Sequence, residues 1–119
     1  MKTYKEFLEE TQQFYGTTQW MRFSALSRLT ITDGIKYTVD KYQCYWILDI
    51  IASYQSKYTK YDLQVWEIEV DEHQCSALIV GRDGDLNEVV SQAIPFTDLE
   101  LEKVVLWCQN GTIFLPSEY

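Results

Sequence analysis

Glu67 and Glu69 stand two residues apart in the run LQVWEIEV. On a strand, residues two apart share a face at about 6.7 Å. That is within the separation at which paired carboxyl groups act as acid and as nucleophile or base on a glycosidic bond. Any Glu-x-Glu strand supplies this spacing, and a solvated strand face is the simpler account of it. In GRDGDLNE, Asp83, Asp85 and Asn87 alternate as at the start of a calcium-binding loop. The sixth position, however, is Glu88 where the sharp turn needs glycine, and the twelfth is Ile94 where a bidentate glutamate belongs. An acidic turn is the expectation there. His73 and Cys75, with the distant Cys44 and Cys108, are zinc-ligand types, but structural zinc sites show close ligand pairs and only one pair here is close. As a nucleophilic pair, His73 and Cys75 would share a strand face without facing one another. Asp49 lies inside the apolar run ILDIIASYQ, where a carboxylate must reach water or meet a cation such as Lys36 or Arg28. With Tyr45, Trp46 and Ser53 it could instead line a pocket for a small ligand or substrate. No phosphate-binding loop, dinucleotide fingerprint, nucleophile elbow or HExxH motif is present. The expectation is therefore a non-enzymatic protein with no assigned catalytic residue, metal or cofactor.

These side chains must be carried by two helices and a sheet. Thr3 and Glu6 have capping-box spacing, and Tyr4, Phe7, Leu8, Thr11 and Tyr15 follow on one helical face up to Gly16. Leu29, Ile31, Ile35, Tyr37 and Val39 alternate around Asp33-Gly34, which predicts a type I′ hairpin. A second helix is expected from Lys41 to about Tyr54, with Cys44, Ile47, Leu48 and Ile51 at core spacing. After residue 61 the chain reads as short strands: 63–70, 76–82, 88–94, 104–109 and 112–115. Turn chemistry separates them, including Asn110-Gly111 as another I′ signal. On the first of these strands the two-residue period assigns Trp66, Ile68 and Val70 to one face and Leu63, Val65, Glu67 and Glu69 to the other. The fold class expected is α+β, one domain over residues 1–119. Two N-terminal helices and a short hairpin would pack on a C-terminal antiparallel meander of four to five strands.

Charge narrows the function further. The chain has 119 residues, 10 Lys and Arg against 18 Asp and Glu, and a net charge of −8. Residues 1–60 carry a net charge of +2 and residues 61–119 one of −10. So acidic a half repels nucleic acid and anionic membrane at long range and attracts basic protein surfaces. No apolar run approaches the roughly 18 residues of a membrane span, and the N-terminus turns acidic by Glu6, unlike a secretory signal. A cytoplasmic protein is the expectation, with the three cysteines as small buried thiols in a reducing compartment.

Several stretches together, FYGTTQW at 14–20, TDGIKY at 32–37, YWILDIIASYQ at 45–55, QVW at 64–66, PFTD at 95–98 and LPSEY at 115–119, resemble an uncharacterised bacterial domain family. The resemblance implies one complete domain, found also on plasmids and phage-like elements. It implies no activity, cofactor or catalytic residue.

The expected function is that of an acidic binding protein whose partner is a basic, nucleic-acid-handling protein, as an anti-defence inhibitor or DNA-mimic decoy would be. The carboxylates of Glu67, Glu69, Asp71, Glu72, Asp83, Asp85, Glu88, Asp98, Glu100 and Glu102 would take the places of phosphates, and Tyr58 and Tyr61 would supply aromatic anchors. The alternatives are the Asp49 cleft and a homodimer built on surplus aromatic surface.

Overall fold

A computed structural model of the chain describes residues 1–14, 21–22, 29–55 and 62–119. The capping box forms as its spacing requires: Glu6 N–H donates to Thr3 Oγ1 at 3.1 Å, and Thr3 N–H to Glu6 Oε1 at 3.0 Å. Helix α1 (Tyr4–Thr11) follows and buries Phe7 and Thr11, while Leu8 is exposed. It ends at the Gln12 cap rather than reaching Gly16, which lies outside the described residues together with Tyr15.

The largest departure from expectation lies at Asp33-Gly34. These residues open helix α2 (Asp33–Tyr42) and are not a hairpin turn. Thr32 is the N-cap, its hydroxyl accepting from Ile35 N–H at 3.5 Å. Ile35 and Val39 are spaced i, i+4 as well as alternating, and the helical reading buries both with Thr38. Gln43, in the left-handed conformation (φ 54°), stops α2, and helix α3 (Tyr45–Ser53) buries Ile47, Leu48 and Ile51. The single helix expected from Lys41 to Tyr54 is thus the end of α2 and all of α3.

The strands are β1 (Met21–Arg22), β2 (Thr30–Ile31), β3 (Leu63–Asp71), β4 (Ser76–Arg82), β5 (Glu88–Ile94), β6 (Lys103–Gln109) and β7 (Thr112–Phe114). Among the described residues they form one sheet in the order β1-β2-β7-β6-β3-β4-β5. The α+β class holds, but the sheet has more than the four to five strands expected and is mixed. β2 runs parallel to β7, and β6 returns to the far side of β3, so the order is not that of a simple meander. Asn110 (φ 53°) and Gly111 (φ 77°) make the two-residue turn joining β6 to β7, with Gln109 opposite Thr112.

Alternation assigns the faces. Trp66 and Ile68 on β3, Ile79 on β4, and Val104, Leu106 and Cys108 on β6 are buried, forming one core cluster with residues of all three helices. A polar seam closes one end of this core. Gln64 and Gln55 exchange amide hydrogen bonds at 2.9 Å, and Trp66 Nε1–H donates to Gln64 Oε1 at 3.1 Å.

The stretches TDGIKY and LPSEY meet in space. A 3₁₀ turn (Pro116–Glu118) presents the Glu118 carboxylate to the start of α2. It accepts from Thr32 Oγ1 at 2.6 Å, Leu115 N–H at 2.9 Å and Gly34 N–H at 3.2 Å, at the positive end of the helix dipole. A Cβ on Gly34 would lie 2.7 Å from Leu115 Cδ1 and 2.8 Å from Glu118 Oε1. Glycine to alanine within a helix ordinarily stabilises by up to about 1 kcal/mol. Here Leu115 is buried and Glu118 is held by three donors, so Gly34→Ala is expected to reverse that sign and cost about 1–2 kcal/mol. Urea unfolding of Gly34→Ala and of Gly34→Ala/Glu118→Ala measures this; a more stable single variant contradicts it.

Candidate functional site

The antiparallel register carries the acidic half of the chain to two opposite ends of the sheet. β3 runs from Leu63, opposite Gln109 of β6, to Asp71, opposite Ser76 of β4. One end therefore gathers Glu69, Asp71 and Glu72 from β3 and its turn, with Asp98, Glu100 and Glu102 from the segment entering β6. The other end carries Asp83 and Asp85 in the β4–β5 turn and Glu88 at the start of β5. Six residues of strand separate these ends by about 20 Å, so the ten expected carboxylates do not form one continuous stripe.

Their local duties differ. Glu67 is ion-paired to Arg82 at 3.2 Å, and Glu69 lies 3.8 Å from Lys103 Nζ, so each member of the Glu-x-Glu pair faces a cation on a neighbouring strand. Asp71 accepts from the His73 and Gln74 N–H groups and closes the β3–β4 turn. Asp83 does the same for β4–β5, accepting from Asp85 and Asn87 N–H, both at 2.9 Å. Those bonds hold the Asp83 carboxyl below its usual range, the Asn87 N–H foremost. Glu72, Asp85, Glu88, Asp98, Glu100 and Glu102 are exposed and belong to none of the ion pairs among the described residues.

The first end also holds two features that sequence reading missed. Phe96 is 74% exposed between Ile94 and Asp98, and Leu78 is 43% exposed on the outer face of β4. An open groove of about 610 Å³ is lined by Glu69, Asp71, Glu72, His73, Leu78 and Ala93. A second hollow of about 310 Å³ lies among Glu72, Cys75, Thr97, Asp98 and Glu100. Phe96 sits in PFTD, where the proline marks a turn; an aromatic beside a turn proline was the available signal.

The remaining expected residues separate. Asp49 and Ser53 are exposed on α3, and Ser53 Oγ donates to Ile50 O at 2.7 Å. Tyr45 is exposed, with its hydroxyl shared between Asp40 and Lys36, while Trp46 is half-buried against the core. Lys36 pairs with Asp40, not Asp49, and Arg28 lies outside the described residues, as do Tyr58 and Tyr61. The cysteines correct another expectation: Cys44 and Cys108 are buried and their thiols pushed up to about 12 by desolvation, but Cys75 is exposed in the β3–β4 turn at φ 52°. The turn takes Cys75 out of the strand that would have buried it.

Glu10, on α1 but off its apolar face, is a hub. It accepts from Lys2, Lys41, Tyr37 (2.6 Å) and Tyr42 (2.7 Å), tying α1 and the N-terminus to α2. Burial would raise its pKa, but the four donors together take it down to about 2. A carboxylate so firmly ionised holds structure and does not shuttle protons near neutral pH.

No helix among the described residues is long and apolar enough to cross a membrane. No curated protein and no solved structure matches the chain. A family model does match, over residues 5–119, and the chain belongs to that family, a family of unknown function (DUF6876).

Proposed function

We propose that the protein is a non-enzymatic, cytoplasmic binding module that docks a basic partner protein onto the acidic end of its sheet. The observation that carries this reading is the hollow that brings together exposed Glu72, Asp98 and Glu100, in no ion pair among the described residues, with exposed Phe96 two residues before Asp98 in the chain. Carboxylates on a rim steer a cationic surface and speed its encounter, and a protruding aromatic anchors it once docked. Proteins whose basic surface ordinarily meets phosphate are the partner class this charge suits, and inhibition of such a protein is the decoy form of the same reading.

Affinity capture from native lysate at low and high salt tests it, with the wild-type chain beside Glu72→Gln/Asp98→Asn/Glu100→Gln and Phe96→Ala. The expected result is one basic protein retained by the wild type, released as salt screens the charges, and reduced about tenfold by either variant. Equal retention by all three chains would remove the reading.

A further inference from the structure

We propose that the open edge of β5 takes up an extended segment of a partner protein as an added strand, and that this segment is basic at both of its ends. The inference rests on the acidic-docking reading and names the element that docks and the conformation of what it holds. Among the described residues β5 is the terminal strand of the sheet and pairs with β4 alone. An edge strand turns half of its N–H and C=O groups away from the sheet. Backbone hydrogen bonds outside the ladders involve Asn87 and Thr97 on either side, but no backbone group from 88 to 94.

Natural edges are guarded by lysine, proline, shortness or a bulge. Among the described residues the sheet's other edge is β1, Met21–Arg22. β5 has seven residues, EVVSQAI, with neither lysine nor proline, and the only irregularity in its register is opposite Gly81 and Arg82, at its very start. Val90 on it is buried and Ser91 and Ala93 are exposed, so the strand is held from one side and accessible from the other.

Charge selects the occupant. Asp83, Asp85 and Glu88 stand at the beginning of the edge; past its end come the exposed Phe96 and then Thr97, whose N–H bonds Cys75 O, so that Asp98 lies with Glu72 and Glu100 beside the β3–β4 turn. The two acidic ends, which do not make one patch, are thus joined by an unpaired strand edge of about 20 Å. A second copy of β5, in either orientation, would set acid against acid at both ends. A segment of seven to nine residues with lysine or arginine at each end instead meets opposite charge twice, while main-chain bonds form between.

Three nine-residue probes test this on the full chain. The first, Lys-Lys-Thr-Val-Thr-Val-Thr-Lys-Lys, has basic ends; the second replaces its lysines with glutamate; the third keeps the lysines and replaces the central threonine with proline. Binding is followed by fluorescence anisotropy, and its location by amide shifts and hydrogen exchange of the isotope-labelled protein. The basic probe is expected to slow exchange of edge amides in 88–94 at least about tenfold, the acidic probe to leave them unchanged, and the proline probe to bind about tenfold more weakly. Glu88→Gln/Asp98→Asn, both exposed and in no ion pair among the described residues, is expected to weaken the basic probe about tenfold.

If the proline probe binds as tightly as its parent, or the shifts cluster at Glu72 and Glu100 with β5 unchanged, strand addition is overturned while acidic docking stands. If no basic probe binds at any site, both fall. Protection of 88–94 in probe-free protein that grows with concentration, together with a dimer in sedimentation, assigns the edge to a second copy and also overturns the proposal.

Discussion

Trp66→Ala is expected to remove about 3–5 kcal/mol of folding stability. Small domains are stable by only about 5–15 kcal/mol in total, so this one change should leave the chain near the folding threshold. Trp66 is 0% exposed on the interior strand β3 and stands in register between Leu106 of β6 and Gly81 of β4. Gly81 has no side chain with which to fill the space the indole vacates, so a cavity remains. The Tyr54 ring, centred 6.1 Å away, loses its contact with the indole, and Gln64 Oε1 loses the indole N–H donor inside the core. Trp66→Phe keeps most of the volume and forfeits the hydrogen bond, and should cost about 1–2 kcal/mol. Urea unfolding followed by far-ultraviolet circular dichroism separates the two. An alanine variant within 1 kcal/mol of wild type would show that the helices repack onto the sheet without it.

Glu10 governs the second large effect, and its sign follows from its pKa. The folded value of about 2 lies below the ordinary carboxylate value of 4.5. The stabilisation is therefore complete above about pH 4.5 and is lost as pH falls toward 2, amounting to about 3 kcal/mol at its full extent. With a side chain only 12% exposed, Glu10 is little screened by solvent. Glu10→Gln should lower stability at pH 7 by about 2–3 kcal/mol, leaving Lys2 and Lys41 without their shared anion. The difference between wild type and variant should then shrink steadily from pH 4.5 to pH 2. A difference that stays constant over that window would mean that the carboxylate's charge contributes nothing and only its shape does.

Elements whose signals are local were readable in the residues. The capping box of α1, the Asn110-Gly111 turn and the bounds of β4 and β5 each depend on neighbours within a few positions, and each formed where expected. Asp33-Gly34 was misread because two local rules compete there. Alternation and an Asp-Gly pair describe a hairpin, while Thr32 and the i, i+4 pair Ile35 and Val39 describe a capped helix. Glu118, 84 residues beyond Gly34, adds its carboxylate to the helical side. Sequence spacing carries no trace of that contact. Glu10 is a similar case, since its four donors come from the N-terminus and α2, and only packing brings them together.

The candidate surface divides along the same line. Composition alone determined that residues 61–119 are strongly acidic, and period-two alternation alone determined that Trp66 and Ile68 face inward while Glu67 and Glu69 do not. Which carboxylates become neighbours was decided by strand order, because β6 crosses back to β3 and brings Glu102 beside Val70. That order also left β5 at the edge between two acidic ends. A charge is a property of a residue, written in the sequence; a patch or an open edge is a property of distances between residues far apart in the chain, and exists only once the sheet has closed.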